Sequence, residues 1–493
     1  MRGMARAVLL TIALVLLTSA SARANGEIFT LAGSGTSVST RDGTPAIRAG
    51  MPQETAVATL AGGGFLVAEP RRVWRVDSAG LIHLAASNLH DVGSVAPLPG
   101  GGFLVGAFSE VWRVDPQGVI HRTDMPGASA IAPLPDGGVV FADGGSHVHR
   151  IAPDGRTVAM SDIEADDLSA APDGSVLLAD RNNARIERLA ADGKLTVILK
   201  LPEQDPPTHV AAMPDGGFVY VTSERIMRVR PDGSTVAFAG AGPFIRTAPV
   251  GLQQRLSGQS AQGADLHYVS DLAATPDGGV LISHGRADDF DEGGFVDYVA
   301  PAAPAVLGAA ILRDRDRVFT PGGMQNVSVS LTVPATVTLT VAGRSVTREL
   351  PAGVSKVAVP SPPDARPERV GLVATADTRR AFDAVRIFPP GWLPTETGAL
   401  VAGVIASDVD HCRRFGAARV DCLTNKGDSN CHSVTVRLTR DRLRWAEYGP
   451  CAIRSHPRLA HAPRPLTRAN SGCEFCSPRL FGIIDEAALV PSS

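Results

Sequence analysis

Lysine is nearly missing from this chain: only Lys194, Lys200, Lys356 and Lys426 are lysine among 47 basic residues. With abundant Ala, Gly, Pro and Arg, this is the composition of a GC-rich bacterial genome. An excess of one charge is missing too. A net charge of −3 over 493 residues excludes the basic surface that nucleic acid or an anionic membrane demands. Aromatic residues make up only 5%. Even so, 44% apolar and 20% charged residues allow a large core and exclude wholesale disorder. Cysteine is absent before Cys412. No stretch beyond the N-terminal leader is long and apolar enough for a membrane-spanning helix. There is no Gly-x-Ser-x-Gly elbow, no phosphate-binding Walker loop and no Ser-His-Asp constellation, so the familiar nucleophile and nucleotide chemistries have no foothold.

The leader at residues 1–24 reads as an export signal. Arg2 and Arg6 precede the short apolar run Ala7–Leu17, and Ala22-Arg23-Ala24 supplies small residues at a cleavage site. The mature chain is therefore expected to begin near Asn25, at a secreted or cell-surface, extracytoplasmic location. The cysteines agree with export. All six (Cys412, Cys422, Cys431, Cys451, Cys473 and Cys476) lie in the last 82 residues, as three disulfides of an exported module would. Fifteen pairings are open.

A short motif recurs through the first 300 residues: an inner apolar strand, a Pro-Asp-Gly or Gly-rich turn, and two further strands. Its turns begin at Ala61, Pro99, Pro135, Pro172, Pro214 and Pro276, spaced 38, 36, 37, 42 and 62 residues apart. A period of about 40 residues is that of a four-stranded propeller blade. Helical repeats do not fit, because the runs are short and β-branched. The long last interval reads as an insertion at about 239–268 rather than a lost blade. The sixth blade has three strands of its own, so the strand Glu27–Leu31 is expected to complete it and close the ring.

These residues resemble the NHL repeat family. The run Ala179-Asp180-Arg181-Asn182-Asn183-Ala184-Arg185-Ile186-Glu187-Arg188 is similar to that family's Ala-Asp-x-x-Asn-x-Arg-Ile-x-Arg signature. Ala32-Gly33-Ser34-Gly35 and Ala239-Gly240-Ala241-Gly242 are similar to its Ala-Gly-x-Gly segment. Glu69, Ala107, Thr222 and His284 depart from the signature Asp. The resemblance implies a six-bladed propeller over residues 25–300. It also brings in enzymes, because some NHL-like propellers are lyases or hydrolases whose metals are held by His and acidic residues in the channel.

After Pro301-Ala302-Ala303-Pro304, β-patterned runs such as Val337-Thr338-Leu339-Thr340-Val341 alternate with period two. Residues 305–390 read as an Ig-like β-sandwich. Residues 391–493 read as a small disulfide-stabilised α+β module and tail, with a short helix at 396–408 and a loop-like segment after Ile453. The fold class is thus mainly β: propeller, sandwich, then Cys-rich module.

Aligning the inner strands places Ala56, Ser94, Ala130, Asp167, His209 and Asp271 at equivalent positions just before each strand. Asp167, His209 and Asp271 come from adjacent blades and are expected to meet at the channel mouth, as ligands for a divalent metal ion or as acid–base groups. Ser94 is a further ligand-binding candidate on that ring. Asp143 and Asp180 end second strands, where a carboxylate can hold the following turn. His83 and His121 fall in outer-strand runs as surface or packing residues. Cys473-Glu474-Phe475-Cys476 could be redox-active or half a zinc site with His456 or His461, but in an exported chain a structural disulfide is preferred. Asn326-Val327-Ser328 matches a glycosylation acceptor but lies in a strand-like run. The favoured expectation is a non-enzymatic scaffold that binds protein, peptide or glycan at the propeller face. The alternative is a metal-dependent lyase or hydrolase at the channel mouth.

Overall fold

The computed structural model describes residues 26–34, 40–52, 55–144, 147–153, 156–161, 163–222, 225–240, 257–264, 266, 268–285, 293–301, 304–312, 319–392, 409–414, 417–425, 431–439, 442–451 and 478–484. The leader, the helix expected at 396–408 and the Cys473–Cys476 pair lie outside these residues. Among the described residues no helix is long and apolar enough to cross a membrane.

Six antiparallel sheets succeed one another from residue 27 to residue 299. Five of them take consecutive strands, as in Asp167–Ala170, Val176–Asp180, Arg185–Leu189 and Leu195–Lys200 of the fourth blade. The second strands are buried from end to end, for example Phe65–Glu69, Val176–Asp180 and Val280–His284. A blade is covered on both faces by its neighbours, so its middle strand reads as an unbroken apolar run rather than an alternation. Apolar clusters fill the gaps between blades. Val57, Val67 and Trp74 of the first blade pack with Phe29, Val296 and Tyr298 of the sixth. Leu178 and Val176 of the fourth pack with Val140 and Ala132 of the third. Each such buried side chain is worth about 1.5–3 kcal/mol.

The ring closes as the sequence implied. Glu27–Ala32 pairs antiparallel with Phe295–Val299 through Ile28 opposite Val299 and Phe29 opposite Tyr298. The chain adds a feature that the repeat pattern did not reveal. After the outer strand of the sixth blade, Gly33 donates its N–H to Ala46 (3.0 Å), and Thr44–Pro45 joins the edge of the first blade. The same move follows the fifth blade. There Gly240 donates to Ala261 (2.9 Å), and Gln259–Ser260 joins the edge strand Glu27–Ala32. After Gly33 and after Gly240, therefore, the next described strand straps the outer edge of the following blade. Gly33 has φ +99°, and a Cβ there would stand 2.4 Å from the Gly294 carbonyl, so only glycine fits.

Residues 309–387 form two sheets. Ala309–Ile311, Met324–Leu331 and Gly353–Pro360 make one, and the four strands from Ala335 to Ile387 make the other. Val329, Leu331 and Val359 of the first share one core with Leu339, Leu372 and Ala374 of the second, which makes a β-sandwich. It rests against the sixth and first blades: Ser330 Oγ donates to Glu27 Oε2 (2.7 Å) and Arg380 N to Ser78 O (3.0 Å). The last described unit is a five-stranded antiparallel sheet from Val409 to Ile484. Its register sets Cys412 opposite Cys422 and Cys431 opposite Cys451. One expectation needs correcting here. The region after Ile453 is not all loop, because Pro478–Ile484 pairs with Arg442–Cys451 as an edge strand. Prolines, arginines and histidines upstream masked the short apolar run Leu480-Phe481-Gly482-Ile483-Ile484.

Candidate functional site

The six aligned positions do occupy one ring. Ala56 faces Ala68, Ser94 faces Gly106, Ala130 faces Ala142, Asp167 faces Ala179, His209 faces Val221 and Asp271 faces Ser283, four of them at the first residue of an inner strand and Ser94 and Asp271 at the third. A bulge between Val269 and Asp271 brings the sixth blade into this register.

Asp167, His209 and Asp271 converge there. One ligating atom from each lies within 4.8 Å of the other two, and all three are half-buried. His209 Nδ1 stands 3.8 Å from Asp167 Oδ2, an ion-pair distance rather than a hydrogen bond. Cations bonded to oxygen and nitrogen at about 2.1–2.4 Å separate neighbouring ligands by about 3.0–3.4 Å and opposite ones by about 4.2–4.8 Å. The trio therefore fits a divalent ion after small movements.

Both carboxylates also do structural work. Asp167 accepts the N–H of Leu168 (2.8 Å) on Oδ1 and that of Val210 (2.9 Å) on Oδ2. Asp271 repeats this with Leu272 (2.7 Å) and Val57 (2.7 Å). Each thus ties its own blade to the next, and Val57 is on the far side of the ring closure. Two carboxylate oxygens offer about four acceptor sites, so capacity for a cation remains.

Burial, with the negative charge of Asp167 close by, pushes the Asp271 carboxyl up to about 7, against the opposing effect of His209 and its two backbone donors. Burial works against a charged His209, but the carboxylates of Asp167, Asp271 and Asp166 outweigh it and raise its pKa above the ordinary imidazole value. The mouth therefore holds protons more tightly than free side chains would.

Ser94 belongs to the same ring but not to the convergent group. It sits in the second blade, and its Oγ is buried without a hydrogen-bond partner among the described residues. The inner-strand alignment missed Asp166, which accepts the Arg181 N–H (3.1 Å) and whose charge reaches His209. Its signal was adjacency to Asp167 in sequence. At the opposite end of the channel, a depression of about 920 Å3 is lined by Leu60, Leu98, Pro133, Leu134, Ala171 and Pro276. Among the described residues no group of three converging ligands lies at that end. A second cleft of about 300 Å3 lies where the sandwich meets the propeller, among Leu31, Phe65, Leu281, Leu307 and Phe382.

Asp180 behaves as expected. Its carboxylate accepts from the Asn183 N–H (3.0 Å), the Asn183 side-chain amide (2.9 Å) and Arg185 Nε (2.9 Å). His83 is half-buried and His121 exposed on outer strands, 3.2 Å from Asp77 and 3.4 Å from Asp115.

No protein-family model matches the chain, and no curated protein matches it. Solved structures do resemble it at low identity. The virginiamycin B lyase from Staphylococcus aureus is 14% identical over 50% of this chain and 94% of its own, with a TM-score of 0.37. A gluconolactonase from Xanthomonas campestris is 14% identical over 57% and 93%, with a TM-score of 0.42. Regucalcin from Agrobacterium tumefaciens, a calcium-binding protein, is 15% identical over 51% and 90%, with a TM-score of 0.39. The six successive sheets between residues 27 and 299 make this a mainly β protein that contains a β-propeller.

Proposed function

We infer that the protein is an exported, NHL-like binding protein. Its Asp167–His209–Asp271 mouth holds a divalent cation, whose remaining positions take an oxygen-bearing group of a protein, peptide or glycan ligand. The observation that carries this reading is the approach of three ligating atoms, from three successive blades, to within 4.8 Å. Export rests on the leader and on the confinement of cysteine to the C-terminal segment. The sandwich, with its Ig-like patterning, and the Cys-rich sheet then space or attach the propeller.

The test is elemental analysis of the oxidised mature protein after equilibration with divalent cations, beside His209→Ala. The native protein is expected to hold about one more equivalent of metal than the variant. The same metal content in both proteins, or none in either, would overturn the reading.

A second reading is favoured by the state of Asp271. A carboxyl near 7 beside an imidazole is suited to general acid–base work, as in a lyase or hydrolase. Turnover by the native protein that is abolished in Asp271→Asn would establish it, whereas binding without turnover would keep the scaffold reading.

A further inference from the structure

The ladder register also aligns the corner where each blade's second strand turns into its third. In the fourth blade, Ala179 pairs with Ile186 and Leu178 with Glu187, which sets Asp180 beside Arg185. In the third, Ala142 pairs with Val148 and Phe141 with His149. Asp143 therefore stands where Asp180 stands, His147 where Arg185 stands and His149 where Glu187 stands. The other corners carry Glu69 with Arg72 and Trp74, Ala107 with Glu110, Thr222 with Arg225, and His284 with Asp297.

Four of these corners lock themselves. Arg185 Nε bridges Asp180 (2.9 Å) and Glu187 (3.2 Å), and Arg72 Nε meets Glu69 at 2.7 Å. His284 Nε2 meets Asp297 at 2.8 Å, and Thr222 Oγ1 accepts the Arg225 N–H (3.3 Å). At the third corner the bridging arginine is replaced, and all three positions carry potential metal ligands. His147 Nδ1 and His149 Nε2 both face Asp143 Oδ2, at 3.3 and 3.2 Å. Two donors bound to zinc at about 2.0–2.1 Å and at the tetrahedral angle stand about 3.3–3.4 Å apart. A charge-assisted N–H···O bond is shorter, at about 2.7–2.9 Å.

The surroundings hold the three donors in place. His149 stacks on Phe141 with ring centroids 5.1 Å apart. The His147 N–H donates to Asp143 Oδ1 (3.3 Å), leaving Oδ2 for the imidazoles. His147 is half exposed, so the corner opens to solvent. Among the described residues no other surface histidine belongs to a three-ligand group. His83 does meet two carboxylates, Asp42 and Asp77, but through opposite ring nitrogens, which cannot bind one ion together.

We propose that Asp143, His147 and His149 form a zinc-class metal site at the third-blade corner, separate from the channel mouth, with three protein ligands and a fourth position open to water or a ligand carboxylate. Two imidazoles and one carboxylate form a set suited to zinc, and three ligands leave the exchangeable position typical of open sites. The site faces the same side as the channel mouth. Asp143 directly follows Ala142, whose partner Ala130 is the third-blade counterpart of Asp167. The site does not depend on the channel reading.

The test uses the untagged mature chain with any free thiol alkylated, in a His209→Gln background that removes the channel imidazole. Zinc is titrated calorimetrically. One equivalent is expected, with affinity falling by roughly tenfold or more in His147→Gln and in Asp143→Asn, as loss of one of three ligands requires. His121→Gln, which alters an exposed Asp-paired histidine, should bind like the parent. Circular dichroism confirms that each variant is folded, and His147→Gln changes a half-exposed side chain that the fold tolerates. No zinc uptake by the parent, or equal uptake by His147→Gln, overturns the site. Loss of zinc only when His209 is changed would assign the metal to the channel instead.

Discussion

The third and fourth blades share a backbone and a register, yet their corners answer opposite needs. In the fourth, Asp180 is 1% exposed, paired with the Arg185 cation and hydrogen-bonded by the Asn183 amide. In the third, Asp143 is 22% exposed and faces two histidines that supply no permanent charge. A repeat sets where the backbone goes and which positions adjoin. It does not set what stands there. A corner that gives up its arginine loses a lock and gains room for another cation.

The largest expected effect tests the lock. Asp180→Ala leaves Arg185 and the Asn183 amide without their buried acceptor, so urea unfolding should show a loss of about 3 kcal/mol or more. Asp143→Ala, without metal, should cost less than about 1 kcal/mol. Equal losses would erase the distinction between the corners.

A similar but pH-dependent effect is expected at the channel mouth. Asp271 holds its proton in the folded state up to about 7, against 3.8 ordinarily. Between those values the native state binds more protons than the unfolded chain, so stability falls as pH rises from about 4 to about 7. His209, raised above 6.5, adds stability below 6.5 that is lost as pH rises through its folded value. Unfolding across this range should show a decline on the order of 2–4 kcal/mol. That decline should be flatter in Asp271→Asn, whose amide oxygen can still accept from Val57. An unchanged slope in the variant would remove Asp271 as its source.

The smallest expected effect on stability is also the sharpest form of the comparison. The double change His147→Arg and His149→Glu gives the third blade the corner of the fourth. In the His209→Gln background, zinc binding should disappear while stability stays within about 1 kcal/mol of the parent. Zinc binding that survives the graft would show that the corner is not the site.

Much of this architecture was legible in the chain. Turn glycines, the period of about 40 residues and the apolar second strands specify blades through local steric demands and two-sided burial. The three strands of the sixth blade at 269–299 called for Glu27–Leu31 as a fourth to close the ring, and Glu27–Ala32 does so. The inner-strand alignment also found Asp167, His209 and Asp271, because equivalent ladder positions in adjacent blades must be neighbours around a channel.

The straps were not legible. Thr44–Pro45 and Gln259–Ser260 are two-residue strands, too short to show a period, and only the neighbouring blade's edge defines them. The third-blade corner was missed for a related reason. His147 and His149 lie four and six residues beyond Asp143, a spacing that means nothing until the hairpin turns them back onto it.

The chain by itself determined the blades, their number and the residues that ring the channel, because these follow from short-range turn chemistry and hydrophobic period. Only the tertiary structure decided what those residues do to one another. It let Asp271 reach across the closure to Val57, raised a carboxyl to about 7 by burying it beside another, and gathered a carboxylate and two imidazoles at one corner. Charge, burial and ligand geometry depend on distances that are set only when separate strands meet.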